Sequence, residues 1–258
     1  MDLGLRGKVA VITGGTAGIG LATARLLLAE GMSVVVSGRD KARLDEAVAS
    51  LDDDHALGVV ADATDPDALS ALRDAAVERF GGIDILVNNA GTSVRGHALE
   101  VPDEAWRADL DLKLMAHVRL ARLVVPSMRS RGGGAVVSVL SIAGKHPGAE
   151  STPTAVSRAA GIAFVKALSH DLAPEIRVNA VCIGLVESGQ HDRRWEAAAD
   201  GTSRAEFYDA MARDRGVPLG RTGRSEEAAA AIAFLASDAA SYITGVALNV
   251  DGGASYVV

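Results

Sequence analysis

A chain of 258 residues with 48% apolar content is long enough to bury a sizeable core and fits one α/β domain better than two small ones. A net charge of −7 with scattered arginines argues against nucleic acid as a partner, which needs concentrated positive charge. No window approaches the roughly 20 apolar residues of a membrane span, so a membrane partner is not expected either.

The single cysteine, Cys182, leaves no internal disulfide and no thiol cluster for a structural metal, which points to a reducing, cytoplasmic compartment. The first apolar run, Val9 to Ile12, is cut off by Thr13-Gly14-Gly15, which suits a buried strand and not a signal peptide.

In chain order, short apolar runs predict strands at Lys8–Thr13, Ser33–Gly38, Ala56–Ala61, Ile83–Asn88, Ala135–Leu140, Arg177–Cys182 and Val246–Val250. They show no polar alternation, so all are expected to be buried on both faces of a parallel sheet. Between them, Ile19–Glu30, Lys41–Leu51, Pro66–Phe80, Asp103–Arg131, Thr154–Leu172 and Ser225–Ser237 carry helical periodicity. Repeated β-α-β units of this kind predict a doubly wound α/β sheet in a single domain. The only long break, residues 187–219, is too polar for core and follows the sixth strand, where open α/β sheets bind ligands. It is expected to be a substrate lid, or else a surface helix pair packed through Trp195 and Phe207. Its Arg193-Arg194 and Trp195 suit an acidic or aromatic compound, although a solvated basic patch explains the arginines equally well.

After the first strand, Thr13-Gly14-Gly15-Thr16-Ala17-Gly18-Ile19-Gly20 leads directly into a helix. Glycines at this place allow a tight turn and close backbone approach, and the helix start offers free N–H groups to a pyrophosphate. Gly14, Gly15, Thr16, Gly18, Ile19 and Gly20 are therefore candidate dinucleotide contacts. The second strand ends in Ser37-Gly38-Arg39, without the carboxylate that would bind a free ribose 2′-hydroxyl. Arg39 can pair with a 2′-phosphate through its planar fork, so NADP(H) is expected over NAD(H).

With those residues in place, the chain resembles the short-chain dehydrogenase/reductase family over nearly its whole length. The resemblance rests on the glycine loop, Val60-Ala61-Asp62-Ala63, Asn88-Asn89-Ala90-Gly91, Arg177-Val178-Asn179, Ile243-Thr244-Gly245 and Asp251-Gly252-Gly253. It implies a Rossmann-like sheet of about seven strands and a homo-oligomer, tetramer or dimer, built through the 103–131 helix and the last strand. It also implies a small-molecule carbonyl or secondary alcohol as substrate, and cofactor contacts at Asp62, Ala63, Asn89, Ala90, Gly91, Gly184 and Val186.

In the family an Asn, a Ser, a Tyr and a Lys act on the reacting oxygen. Ser141 stands where the family serine does, at the end of the fifth predicted strand. Thirteen residues on, Tyr-x-x-x-Lys is replaced by Thr154-Ala155-Val156-Ser157-Arg158, and the helix asparagine by Lys113, seven residues after Trp106. Thr154 cannot do the work of a phenol with a pKa of about 10, and Arg158, with a pKa above about 12, can hold a nicotinamide ribose but not shuttle protons. Lys113, on the flank of the stripe Leu110, Leu114, His117 and Ala121, is expected to face inward toward the sheet, as a candidate general acid with a lowered pKa or else as a structural lysine bonded to helix or strand carbonyls. His97, His146 and Glu150 are further acid or base candidates in loops expected to border the cleft. Tyr208, Tyr242 and Tyr256 lie too far along the chain to replace the missing phenol. Three functional classes follow: an oxidoreductase with an altered site at Ser141, Lys113, Thr154 and Arg158; a lyase, dehydratase or epimerase using Lys113 and Arg158 to hold an oxyanion; and a catalytically silent NADP(H)-binding protein.

Overall fold

The computed structural model describes residues 2–52, 54–198 and 201–257. Strands β1 (Val9–Thr13), β2 (Ser33–Gly38), β3 (Ala56–Val60) and β4 (Ile85–Asn88) alternate with helices α1 (Gly18–Ala29), α2 (Lys41–Leu51) and α3 (Pro66–Phe80). After a two-residue strand β5 (Arg95–Gly96) come α4 (Asp103–Leu110), a π-helical turn at Asp111–Met115 and α5 (Ala116–Ser130). The rest of the chain forms β6 (Gly134–Ser141), β7 (Thr152–Pro153), α6 (Thr154–Asp171), β8 (Ile176–Ile183), α7 (Gly189–Ala198), α8 (Arg204–Asp214), α9 (Ser225–Ala236) and β9 (Ala247–Val250). Seven strands form one parallel sheet in the order β3-β2-β1-β4-β6-β8-β9, and β5 and β7 pair antiparallel outside it.

Successive residues along each strand feed opposite cores. Ala10, Ile12, Val34, Val36, Val137 and Val181 pack with α1, α2 and α9 on one face, while Val11, Val35, Val136 and Cys182 pack with α3, α5 and α6 on the other. Double coverage is why β1, β2 and β6 carry unbroken Val/Ile runs. The expectation that every strand is buried fails at the sheet edges. β3 is only half-buried, with Val60 50% exposed, and β9 has Leu248 41% exposed, because an edge strand lacks a neighbour on one side. The Asn179 amide ties β8 to the turn before β9, donating to the Ile243 carbonyl (2.9 Å) and accepting from Val246 N–H (3.2 Å).

The expected single helix over 103–131 is interrupted by the π turn. Lys113 lies inside that turn and is fully buried, whereas Leu110 and Leu114 beside it are only half-buried. The inward orientation read from the helical period is borne out, and the π turn takes Lys113 from the flank to full burial.

Because the chain runs outward from β1 to β3 and then returns to β4 on the other side of β1, a crevice opens above the carboxyl ends of β1 and β4. The 187–219 break, of which residues 199 and 200 lie outside the described residues, forms α7 and α8 beside this crevice. The pair is held through buried Tyr208, whose hydroxyl donates to Asp192 Oδ1 (2.9 Å), and by Trp195 Nε1, which donates to the Thr202 carbonyl (2.7 Å).

Candidate active site

The crevice is a cavity of about 490 Å³ that runs from the glycine loop to α7. At one end the turn after β1 needs glycine. Gly14 has φ +66°, and a Cβ there would stand 2.9 Å from Ala90 Cα. Thr13 Oγ1 accepts from Asn89 N–H (3.0 Å) and Ala90 N–H (3.1 Å), and the Asn89 amide donates to the Thr13 and Gly14 carbonyls (2.9 Å each). Asn89 thus fixes the glycine loop as well as lining the cavity. Helix α1 starts after Ala17 with no side-chain cap, which leaves its first amides for a ligand anion.

Of the expected cofactor contacts, Gly14, Thr16, Gly18, Ile19, Arg39, Asp62, Ala63, Asn89, Ala90, Gly91, Arg158, Gly184 and Val186 all line this one cavity. Gly15 and Gly20 do not. Gly15 lies against Val36, where a Cβ would fall 2.6 Å from the valine Cβ, and a Cβ on Gly20 would fall 2.5 Å from Asn89 Nδ2. Both are needed for packing of the loop on its neighbours. Asp62 accepts from Thr64 N–H (2.9 Å) and the Thr64 hydroxyl (2.7 Å). Burial pushes its pKa up, but those bonds and Arg39 outweigh it and hold it below the usual range. Arg39 is 71% exposed and sits 3.7 Å from Asp62, while Asp40 caps α2 through Arg43 N–H. No carboxylate therefore closes the end of β2 itself, and the residues present fit a 2′-phosphorylated dinucleotide.

At the other end, Ser141, Thr154 and Arg158 line the cavity together, as the register of the altered motif implies. Lys113 does not. It stands behind Thr154, donating to Thr154 Oγ1 (2.8 Å) and to Asp109 Oδ1. Asp109 also accepts from the Ser157 hydroxyl (2.6 Å), so the buried lysine has a carboxylate partner, not the helix or strand carbonyls expected of a structural lysine. Burial lowers the Lys113 pKa, Asp109 opposes that shift and the Arg158 charge adds to it. Thr154 Oγ1 also donates to the Val94 carbonyl (2.8 Å) and accepts from Val94 N–H (3.0 Å). With two bonds accepted and one donated, its hydrogen-bonding capacity is filled by its own protein.

Arg158 donates from Nη1 to the Val139 carbonyl (2.8 Å), and Nη2 reaches beneath Gly91, where a Cβ would stand 2.7 Å away. Burial pushes its pKa down to about 10, with Asp109 opposing, so the guanidinium remains cationic at neutral pH. Ser141 Oγ accepts from Ala143 N–H (3.2 Å) and keeps its own proton uncommitted. Behind the site, both ring nitrogens of buried His117, the Asn88 amide, Ser138 Oγ and Arg158 Nε have no hydrogen-bond partner among the described residues.

The other acid and base candidates lie off the cavity wall. His97 and Glu150 form an exposed pair at 3.3 Å, and His146 packs edge-on against the Tyr256 ring. Tyr208 is held by Asp192 and Ser188, and Tyr242 and Tyr256 are exposed. Sequence reasoning missed Asp109 and Ser157, although an Asp-to-Lys spacing of four on a helix was a readable signal. It also missed His191, which lines the cavity from α7 next to Ser188.

The sheet order, the cavity at its switch point and the glycine loop define a dinucleotide-binding α/β enzyme class. A family model described as Enoyl-(Acyl carrier protein) reductase matches residues 14–255. A protein assigned as the ketoacyl reductase of the monensin polyketide synthase of Streptomyces virginiae is 42% identical over 254 residues, 95% of this chain and 96% of the relative. A short-chain oxidoreductase from Pseudomonas aeruginosa PAO1, described as containing an atypical catalytic center, is 38% identical with a TM-score of 0.95, covering 99% of this chain and 100% of that one; its NADPH-bound form gives 0.92. L-sorbose reductase from Gluconobacter frateurii, complexed with NADPH and L-sorbose, is 37% identical with a TM-score of 0.95 over 100% of both chains. The chain belongs to the short-chain dehydrogenase/reductase family, and these relatives are NAD(P)-dependent reductases.

Proposed function

We propose that the chain is an NADP(H)-dependent oxidoreductase for a carbonyl or secondary alcohol in which Ser141 and Arg158, and not the hydroxyl at position 154, face the reacting oxygen. Hydrogen-bond occupancy carries this reading. Thr154 Oγ1 is filled by Lys113 and Val94, whereas Ser141 keeps its proton and Arg158 Nη2 has no acceptor among the described residues. Gly14, Thr16, Gly18 and Ile19 would hold the pyrophosphate, Asp62 and Ala63 the adenine, and Asn89 to Gly91 with Gly184 and Val186 the nicotinamide half. The similar Pseudomonas and Gluconobacter structures hold NADPH, which supports the phosphorylated cofactor, with Arg39 as its 2′-phosphate partner.

A bound nicotinamide supplies the hydride. The Arg158 guanidinium, held by the Val139 carbonyl, stabilises the negative charge that develops on the carbonyl oxygen. Ser141 Oγ–H donates to the same oxygen. An alkoxide is basic enough to take that proton, and water at the cavity mouth returns it to Ser141. Thr154, with Lys113 and Asp109 behind it, is a positioning residue that fixes Val94 and the rim of the cavity. Lys113 does not touch the cavity, which removes the paired cations on which a lyase-type oxyanion site would rest.

Titration with NADPH and NADH, followed by nicotinamide fluorescence, tests the cofactor half. NADPH is expected to bind at least about tenfold more tightly, with the preference lost in Arg39→Ala. Binding of neither nucleotide would overturn the reading. For the chemical half, Arg158→Met is expected to lower kcat about 100-fold or more on any carbonyl the protein reduces. An Arg158→Met protein that folds, binds NADPH and turns over at the parent rate excludes Arg158 from the reaction, and turnover without consumption of NADPH would point to non-redox chemistry.

A further inference from the structure

Three arginines stand on the elements that border the cavity, and their charges act on one another. Arg95 lies on β5, one residue after Val94, whose backbone holds Thr154, and its Cα is paired with Pro153, the residue before Thr154. Arg194 lies one turn along α7 from His191, which lines the cavity, and Arg215 ends α8. All three side chains are exposed, and none makes a hydrogen bond or ion pair to a described residue. The like charges are close enough to act on one another. Burial, then Arg215 and Arg194, push the Arg95 pKa down, and burial, then Arg194, Arg215 and Arg95, lower that of His191 against a smaller opposing effect of Asp192.

The carboxylates that could neutralise this group are held elsewhere. Arg204 pairs with both Glu187 (2.8 Å) and Asp192 (2.8 Å), and Asp192 also accepts from the Tyr208 hydroxyl. His191 Nδ1 is buried and has no partner among the described residues. In a chain of net charge −7, an uncompensated cluster of three arginines from three separate elements raises the local concentration of anions at the place where substrate must enter.

We propose that Arg95, Arg194 and Arg215, acting beside His191 of the cavity wall, form an anion-binding subsite, and that the substrate is a carbonyl compound bearing a carboxylate or phosphate. The proposal rests on the oxidoreductase reading only for the carbonyl; the anion subsite stands on the cluster itself. Arg95, adjacent to the segment locked by Thr154, and Arg194 and Arg215, on the α7–α8 pair, would grip the anion from opposite sides of the entrance. This assigns α7 and α8 the substrate-covering part expected of the 187–219 segment.

The test is calorimetric titration of the NADPH-loaded protein with a panel of matched pairs, each a 2- or 3-oxo acid and its neutral methyl ester, with inorganic phosphate as competitor. In at least one pair the acid is expected to bind about tenfold or more tightly than the ester, with phosphate competing. Arg95→Ala/Arg215→Ala should bring acid and ester to within about twofold, while Arg193→Ala, a charge change beside the cluster but outside it, should keep the difference. Equal binding of acid and ester in every pair, or discrimination that survives the double variant, overturns the subsite. The absorbance of NADPH, read in the same samples, separates the two readings: discrimination without oxidation of NADPH by any member sustains the subsite and overturns the carbonyl reductase.

Discussion

Lys113, where the resemblance places an asparagine, donates hydrogen bonds to Asp109 and Thr154, and its complete burial decides what a substitution there will do. Lys113→Met, which would test a proton donor if the ammonium faced substrate, instead leaves Asp109 buried with Ser157 as its remaining side-chain partner. Removing one member of a buried ion pair destabilises by about 3–5 kcal/mol, whereas replacing both by apolar groups is often neutral. Lys113→Met is therefore expected to lower the urea midpoint strongly, and Lys113→Met/Asp109→Leu to recover most of the loss. A double variant no more stable than the single one would show that the pair does not act as a unit. The register of the altered motif was legible in the sequence, and Thr154 and Arg158 do share the cavity. The direction of the Thr154 hydroxyl was not, because its partner Val94 is 60 residues away and offers only backbone atoms, which carry no signature in a side-chain pattern.

Among elements, the strands under both helical layers were readable to within one or two residues because double burial requires unbroken apolar runs. The π turn, β5 and β7 were not. A two-residue ladder is too short for periodicity, and the π turn packs against α6, a tertiary contact that a local pattern does not carry. The same contacts make β5 depend on Thr154. In Thr154→Val the shape is kept, but Val94 N–H and C=O and the Lys113 ammonium each lose a partner, at about 1–3 kcal/mol for a group left unsatisfied. Amide exchange over residues 92–97 is expected to quicken by about tenfold or more, with a raised KM and a kcat within about tenfold of the parent. Loss of kcat by about 1,000-fold, with folding and NADPH binding intact, would return the proton-donor part to Thr154.

Across the whole molecule, sheet order and the crevice at the β1/β4 switch follow from the β-α-β repeat, and the place of α7 and α8 beside it was readable, while β5, which brings Arg95 there, is too short to be placed by pattern. The charge of Arg158 also acts in the interior. His117, 2% exposed and beside Arg158, has its pKa lowered from 6.5 to about 3, first by burial and then by the arginine's charge. In the folded protein the ring stays neutral, while in the unfolded chain it takes up a proton below pH 6.5. The unfolded state then binds more protons, so stability falls with falling pH, by about 1.4 kcal/mol for each unit well below 6.5, and this continues until about pH 3. His191, half-buried, is shifted in the same direction and adds a smaller part. His117→Leu removes the larger part, so its urea midpoint should change less than that of the parent between pH 6.5 and about 5. Because the Arg158 charge contributes to the shift, Arg158→Met should also flatten the profile, though less than His117→Leu, since burial is the larger cause. Parallel profiles for the parent and His117→Leu would mean that His117 is protonated in the folded state, and that the buried polar atoms of Asn88, Ser138 and His117 accommodate a second positive charge beside Arg158.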